Sequence, residues 1–566
     1  MKNNFFKFIK FFVKEYKCLK FALIISSILF LFEYLYLSLL IFFSSNLNAS
    51  NNSNFIVDFW KKIFYFFNID YNYKLILSIF LILYLLKVFL DFLYKSYIIY
   101  ISRFIHFQLN NKIFHHIIYL EKINNLYKKS IGHYIHLFGD STHKCGTIIA
   151  GFCEIFTNFL FLIASMTILF FFSKNILFLL ILLLSLLLII FFLNIKKIFI
   201  KNKELIKISS KVNTITIEAL NSIRSIRSFR IGRFIEAQNN KEMIDYMRCY
   251  SSLERNKEFY KTLPTLVIIF SFLFLLFSFN LNNSEELFVR YFAGLILVIR
   301  TVSIAGALGH NLSNIISEFT NLNSIDELLD LSSNITYKDF KVNELKDKNN
   351  ASVKKNINEI NIIDLSFGFN NKYLFKDINF NFYKNNSYAL IGKSGSGKSC
   401  FADILSGLNI DFDGQILINK KTINNANNIL DKNIILVEQT SKIIEGSLYE
   451  NLTLGMFYAD LEIYDLLKKL NLEDLSKRLH SKLEYQGANL SGGQRQRIAI
   501  CRAILLKPEV LILDESLNAL DEISFDIIIN FLFSEFKEKI LIFITHDKRI
   551  IKKVNKILNL EDYKNI

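Results

Sequence analysis

The chain has 566 residues, of which 52% are hydrophobic, 15% aromatic and only 21% charged. That balance excludes a disordered chain, and it excludes an ordinary soluble enzyme, whose cores cannot hide so much hydrocarbon. The formal charge of +16 asks for an acidic partner, and at a mean hydropathy of +0.30 the anionic cytoplasmic membrane face comes ahead of nucleic acid. Six isolated cysteines form neither a CxxC pair nor a Cys/His cluster of zinc spacing, so reduced thiols are expected.

Residues 1–20 carry Phe5, Phe6, Ile9, Phe12, Val13 and Tyr16 on one helical face and Lys7, Lys10, Lys14 and Lys17 on the other. This predicts a helix lying on the cytoplasmic leaflet; a signal peptide is the alternative, but no small-residue cleavage site follows. Six apolar runs come next, each near the roughly 20 residues that cross a bilayer. They are Ala22–Phe43, Leu75–Ile101, Ile155–Phe172, Ile176–Leu193, Pro264–Asn280 and Phe288–Leu308. Between the first two, Phe55, Phe59, Ile63, Phe66 and Phe67 form a stripe opposite Asp58, Lys61, Lys62 and Tyr65. It reads either as an amphipathic helix on the external leaflet or as a loop that shares the general wealth of phenylalanine. The connections Ser173–Asn175 and Leu281–Leu287 are short, whereas Ser102–Glu154 and Asn194–Leu263 are long, polar and helical in pattern. Lysine and arginine crowd the long ones, which places them and both termini inside the cell.

A polar stretch at 342–356 reads as a linker, and 357–566 alternates short apolar strands with helical segments, as in an α/β domain. Strand Tyr388–Ile391 runs into Gly392-Lys393-Ser394-Gly395-Ser396-Gly397-Lys398-Ser399, the G-x-x-x-x-G-K-[ST] phosphate loop. Its glycines let N–H groups wrap phosphates, Lys398 reaches the β/γ oxygens, and the Ser399 hydroxyl suits Mg²⁺. Val510–Leu513 ends in Asp514 and Glu515, the first suited to Mg²⁺ and the second to an attacking water. Between them stands Leu490-Ser491-Gly492-Gly493-Gln494, a pentapeptide of high specificity.

With these motifs the chain resembles the ATP-binding cassette (ABC) transporter family over nearly its whole length. The resemblance implies a membrane all-α six-helix exporter domain (21–335) fused to a soluble α/β P-loop NTPase domain, a half-transporter with ATP and Mg²⁺ as cofactors. It implies an adenine-stacking role for Phe369, where the family usually has Tyr. Nucleotide contacts would come from Gly392, Ser394, Gly395, Ser396, Gly397, Lys398, Ser399 and Cys400. Gln439 would sense Mg²⁺ and touch the membrane domain, Asp521 would end a loop crossing a dimer interface, and His546 would contact the γ-phosphate. Two cassettes would close head-to-tail, so that Ser491, Gly493 and Gln494 of one copy face the phosphates held by Lys398 of the other. Glu515, His546 and Gln439 are then the catalytic set, Ser399, Gln439 and Asp514 the metal set, and a second copy the expected partner. The family's Gly-Glu before the strand is Asn385-Asn386 here, its Thr after Lys-Ser is Cys400, and the acid often found upstream of the signature is Tyr485 beside Glu484. None of these departures removes a catalytic group.

Intramembrane charges are costly and tend to face a cavity or a partner. Glu33 lies in the first span, Lys87 and Asp91 four apart in the second, where they would neutralise each other, and Arg300 in the sixth. Arg300 would either hold an anionic substrate or pair with Glu33 or Asp91. Glu33, Lys87, Arg300 and the external helix together resemble bacterial lipid-linked oligosaccharide flippases. That resemblance implies a multi-pass protein of the bacterial inner membrane with a cytoplasmic nucleotide domain. Its partners would be membrane lipids and an anionic amphiphile, not nucleic acid. A broader lipid or drug exporter is the alternative, and a nucleotide-gated channel or regulator the alternative of another class.

Overall fold

The computed structural model describes residues 17–46, 55–70, 72–119, 121, 123–277, 285–329, 356–369, 372–409, 411–422, 433–518 and 520–563. The helix expected before residue 17 and nearly all of the 342–356 linker lie outside the described residues. The chain divides into two compact units, one of Met1–Glu121 with Tyr127–Thr336, the other of Lys122–Leu126 with Tyr337–Ile566.

The first unit is helical. Its helices are α1 (Lys17–Asn46), α2 (Phe55–Phe66), α3 (Tyr73–Tyr119), α4 (Ile123–Lys128, shared with the second unit), α5 (Ile131–His136), α6 (Thr142–Phe172), α7 (Lys174–Asn221), α8 (Ile223–Ser228), α9 (Gly232–Phe277) and α10 (Glu285–Leu329). At about 1.5 Å per residue, the 47 residues of α3 exceed the roughly 30 Å of a hydrocarbon core about twofold, so its polar end runs on as helix. Four helical stretches among the described residues are long and apolar enough to cross a membrane: Cys18–Phe43, Lys74–Tyr119, Ile131–Phe172 and Ala293–Leu329. This is fewer than the six expected. The run at 176–193 forms part of α7, where Lys174–Ser185 is the apolar stretch, and 264–280 falls on the end of α9, partly outside the described residues. Only Ser173, in extended conformation, separates α6 from α7.

Small residues set the helix crossings. A Cβ on Gly146 of α6 would collide with the Ser102 carbonyl of α3, and one on Gly132 of α5 with Thr214 and the Ser210 carbonyl of α7. A Cβ on Gly306 of α10 would come within 2.8 Å of Pro264 in α9. Between α5 and α6 the ladder widens into a π-helical turn, Leu137–Ser141, where the Ser141 hydroxyl meets both Nδ1 of His136 and Oδ1 of Asn321.

Of the two readings of the segment between the first two runs, the helix is present as α2, with a different face inward. Ile56, Val57, Trp60 and Phe64 are buried against Leu37, Leu39 and Phe42 of α1, while Phe55, Phe59, Phe66 and Phe67 stay exposed. Trp60 decides the orientation, because its indole N–H reaches the Ser38 hydroxyl at 3.0 Å.

In the second unit, β1 (Glu359–Phe369), β2 (Lys372–Tyr383), β4 (Asp413–Ile418) and β5 (Lys421–Thr422) form an antiparallel sheet of order β2-β1-β4-β5. The second sheet is parallel, of order β6-β7-β8-β3-β9, from β3 (Asn386–Ile391), β6 (Ile434–Val437), β7 (Val510–Asp514), β8 (Ile540–Ile544) and β9 (Lys556–Asn559). Strands β7 and β8 are buried at every position, as parallel strands covered on both faces must be. Helix α11 (Lys398–Leu405) follows the phosphate loop, with Phe401 packed edge-on to Phe375. Beyond it come α12 (Leu448–Thr453), α13 (Asp460–Lys469), α14 (Glu473–Ser476), α15 (Gly492–Leu505), α16 (Glu522–Glu535) and α17 (Lys548–Ile551).

Candidate nucleotide site and intramembrane charge cluster

In parallel sheets, ligands gather at the carboxyl ends of the strands. Here the strand order sets out the motifs in a row: Gln439 after β6, Asp514 ending β7 with Glu515 just after it, His546 after β8, and the phosphate loop after β3.

The loop backbone has the conformation its glycines allow. Gly395 (φ +79°) and Gly397 (φ +91°) are left-handed, and Gly397 caps α11. The Lys398 ammonium donates to the carbonyls of Gly392 (2.7 Å) and Lys393 (3.2 Å) and lies 3.1 Å from Nε2 of His546. The loop fits phosphate by two tests. A Cβ on Gly395 would point into open space, and the buried Ser396 hydroxyl has no protein partner.

Mg²⁺ fits as well. The Ser399 hydroxyl is bonded to Asp514, which burial raises above the usual carboxylate range, with Glu515 adding to the rise. One turn further along α11, Asp403 is pushed up to about 6 by burial, then by Asp514 and Glu438. A dication is what such a gathering of carboxylates would relieve.

Glu515 sits at φ +45°, strained for a residue with a side chain, and this turns its carboxylate toward its neighbours. The Gln439 amide donates to it at 3.0 Å, Asn518 at 3.3 Å, and Nε2 of His546 lies 3.8 Å away. Every catalytic residue expected from the sequence is thus in one place. Sequence reasoning placed Asn518 at the start of the interface loop that ends in Asp521 and missed its contact with Glu515, for which the three-residue spacing was the available signal. It also missed Gln496, a buried amide that donates to the Gln439 carbonyl.

The signature residues form a unit of their own. Ser491 caps α15 by accepting the Gln494 N–H at 3.1 Å, and Gln494 Oε1 accepts the Ser491 N–H at 2.9 Å. The Gly493 carbonyl accepts from Arg497. Asp521 caps α16 through the Ser524 N–H, which holds its carboxyl below the usual range. Phe369, at the end of β1, is exposed and edge-on to Phe367 at 5.1 Å, so one face is open to stacking. Cys400 is half-buried, and burial raises its thiol. Tyr485 opens a 3₁₀ turn whose Gln486 is left-handed.

In the membrane unit, Glu33 is wholly buried and bound by three groups. Arg300 donates to its Oε1 at 2.6 Å, the Tyr36 hydroxyl to the same oxygen at 2.9 Å, and the Lys87 ammonium lies 3.4 Å from Oε2. The Phe161 ring faces both cations, at 5.3 Å from Lys87 and 5.9 Å from Arg300. The expected Lys87–Asp91 pair does not form: Asp91 pairs with Lys95 at 3.1 Å instead. Lys87 is drawn to Glu33 because a wholly buried carboxylate needs charge more than a partly exposed one does. Of the two roles open to Arg300, the pair with Glu33 is present. Its side chain still lines a cavity of about 550 Å³ together with Lys87, Lys95, Glu154, Phe161 and His310.

Among known proteins, residues 375–518 match the ABC transporter family and residues 16–303 the ABC transporter transmembrane region. A putative export ATP-binding/permease protein of Rickettsia bellii is 32% identical over 223 residues, 38% of this chain and 39% of the relative. A probable ABC transporter ATP-binding/permease protein of Haemophilus influenzae is 25% identical over 365 residues, 62% and 63% of the two. The chain thus spans well under half the length of the first of these curated relatives. In structure it is similar to a bacterial Atm1-family ABC exporter with ATP bound, at a TM-score of 0.76 and 16% identity over 97% of this chain and 95% of the other.

Proposed function

The chain belongs to the ABC transporter family, and on that premise we propose that it hydrolyses ATP to drive export across a bacterial inner membrane. The nucleotide domain would be cytoplasmic, each copy would contribute six spans, and two copies would form the working unit. The observation that carries this reading is the convergence of Lys398, Glu515, Gln439 and His546 at the ends of adjoining strands.

When bound, Mg²⁺ would neutralise the charge of the β and γ phosphates, held by Ser399 and Asp514 with Gln439 beside them. Lys398 leaves its two carbonyls for phosphate oxygens, an exchange of neutral acceptors for charged ones. Glu515 polarises the attacking water and takes its proton, while the amides of Gln439 and Asn518 hold the carboxylate in place. His546 donates to the γ-phosphate. Ser491 and Gly493 of the second copy close over it, Phe369 stacks on the base, and closure and reopening switch the membrane domain between two access states. A channel or regulator with little turnover is the weaker alternative, because Glu515 and His546 are both present, 3.8 Å apart. Mg²⁺-dependent ATP turnover by the protein in lipid vesicles tests the reading. Absence of turnover in well-folded protein rejects it.

For the cargo we propose an anionic amphiphile, with a pyrophosphate-linked oligosaccharide lipid as the specific candidate. Two cations share the one carboxylate of Glu33, so this cluster is net positive although Asp91 and Glu154 also line the cavity, and Arg300 keeps part of its guanidinium open to it. Arg300→Lys preserves the ion pair and loses the bidentate fork. It should reduce translocation of a pyrophosphate-linked lipid severalfold and leave basal ATP turnover intact. A second reading, a broader lipid or drug exporter, is favoured by the fact that Glu33 already occupies the Arg300 Nε. Equal translocation by wild type and Arg300→Lys would put it ahead.

A further inference from the structure

We propose that Glu561, near the end of the described chain, is a positioning residue of the phosphate loop, one that sets affinity for the nucleotide rather than the rate of its cleavage. The proposal rests on the reading of that loop as an ATP site.

The geometry concerns a single peptide group. The carbonyl of Gly392 accepts the Lys398 ammonium at 2.7 Å, and the N–H of Lys393, the other side of the same peptide, donates to Oε1 of Glu561 at 2.8 Å. A cation and an anion therefore clamp opposite edges of one plane, each polarising the group toward the other. The next peptide is held separately, its Lys393 carbonyl accepting the Ser396 N–H at 3.1 Å and the Lys398 ammonium at 3.2 Å, so the clamp acts on the Gly392–Lys393 plane. Gly392 stands at φ +153°, a conformation open to glycine, and the free rotation that permits it also leaves the plane free to turn.

The position of Glu561 follows from the sheet. Strand β9 pairs in parallel with β3 up to Ile391↔Asn559, so both chains leave the same edge side by side. The Asn559 side chain then turns the backbone back, its Oδ1 accepting the Glu561 N–H at 3.2 Å and its Nδ2 donating to Asp562 at 3.0 Å. Leu560 is fully buried, and a Cβ on Gly392 would come within 3.5 Å of it. The carboxylate is thus delivered to the loop from an anchored turn.

The consequence appears when a nucleotide binds. Lys398 gives up Gly392 for phosphate oxygens, and of the two charged clamps only Glu561 then holds the peptide. Without it the first peptide of the loop is free to rotate, and the loop must be ordered at the expense of binding. Glu561 acts on the loop through the Lys393 N–H, not through Glu515 or His546, so chemistry after binding should be little changed.

The experiment uses the full-length protein in vesicles, measuring ATP turnover against ATP concentration and, separately, Mg²⁺-free binding of a fluorescent ATP analogue. Glu561→Ala should raise KM and the analogue Kd by about 10-fold, the usual scale for a hydrogen bond to a charged group, with kcat within about twofold. Glu561→Gln keeps an acceptor oxygen without the charge and should fall between. Unchanged KM and Kd in folded Glu561→Ala would overturn the proposal, as would a loss confined to kcat. If the alanine variant does not fold, Glu561→Gln decides alone: wild-type affinity in that variant would reject the charged clamp. No analogue binding by the wild type would instead reject the ATP reading on which the proposal rests.

Discussion

Lys87 in the membrane unit and Lys398 in the nucleotide unit are buried to nearly the same extent, with 7% and 8% of their surface exposed. They are held in opposite ways. Lys87 meets a carboxylate that Arg300 also binds, whereas Lys398 meets two peptide carbonyls and an imidazole. The acids repeat the contrast: Glu33 is bound by two cations and a phenol, Glu515 by two side-chain amides. A charge held by neutral dipoles keeps its attraction for an incoming ion, and a charge held by its opposite has already used it. The nucleotide unit keeps its charges available, and the membrane unit has settled most of its own internally.

The largest effect should come from removing an available charge. Glu515→Gln keeps the shape and the amide contacts and removes the base, so ATP turnover should fall by at least about 100-fold while nucleotide binding persists. Near-normal turnover in steady-state assays would break the contrast on the nucleotide side. On the membrane side, Glu33→Gln leaves Lys87 and Arg300 uncompensated, and loss of one partner from a buried pair costs about 3–5 kcal/mol. Thermal unfolding in detergent should show a large drop, and the pair Glu33→Gln with Lys87→Met, which removes the more buried of the two cations, should recover part of it. Equal stability of the single and double variants would mean that the cluster is not settled at all.

The short helix α8 sharpens the comparison at smaller scale. In sequence, Asn221–Phe229 resembles a short helix that docks on the cassette, with Ile223 and Ile226 as the expected apolar contacts; Ile226 is buried and Ile223 is about half exposed, so the two isoleucines do not share a role. Ile223→Asp should leave folding intact and lower transport per ATP hydrolysed, whereas Ile226→Asp should also lower the melting temperature. Wild-type coupling in Ile223→Asp, measured as transport per ATP, would exclude that side chain as a docking contact.

The smallest effect concerns Asp403. Its folded value of about 6 exceeds the unfolded one, so the folded state binds the proton more tightly and loses stability as pH rises through 6. Asp403→Asn should therefore raise the melting temperature at pH 7.5 without Mg²⁺, and this advantage should be smaller at pH 5 and disappear only below the unfolded value of 3.8. A gain of the same size at both pH values would show that burial of the acid is not its cause.

What could be read in the sequence follows the same division. The phosphate loop, the signature and Asp514–Glu515 are contiguous, because a turn that wraps phosphates, or a strand that ends in acids, is written in neighbouring residues. The Glu33 cluster joins positions 33, 36, 87, 161 and 300 across four helices, and no local rule places them together. The i,i+4 rule, applied alone, matched Lys87 to the wrong acid, since it knows nothing of burial. The inward face of α2 was hidden for a related reason: one indole seeking a hydroxyl outweighed a stripe of phenylalanines. Glu561 was invisible because its partner is a backbone N–H 168 residues away.

The π-helical turn at Leu137–Ser141 carries a consequence for how this chain tolerates insertion and deletion. A π turn holds one residue more than the α-helical ladder, and each residue advances the helix by about 100°. Deleting one residue there would repair the ladder and leave Ile131–His136 in phase with α6, whereas the same deletion in the regular part of α6 would swing it round by that angle. In that second case Gly132 would leave its crossing with α7, and a side chain would be driven against the Ser210 carbonyl. The turn is therefore where this helix can lose a residue with its flanks in place, while substitution of the buried Leu137 or Ser141 within it would be felt.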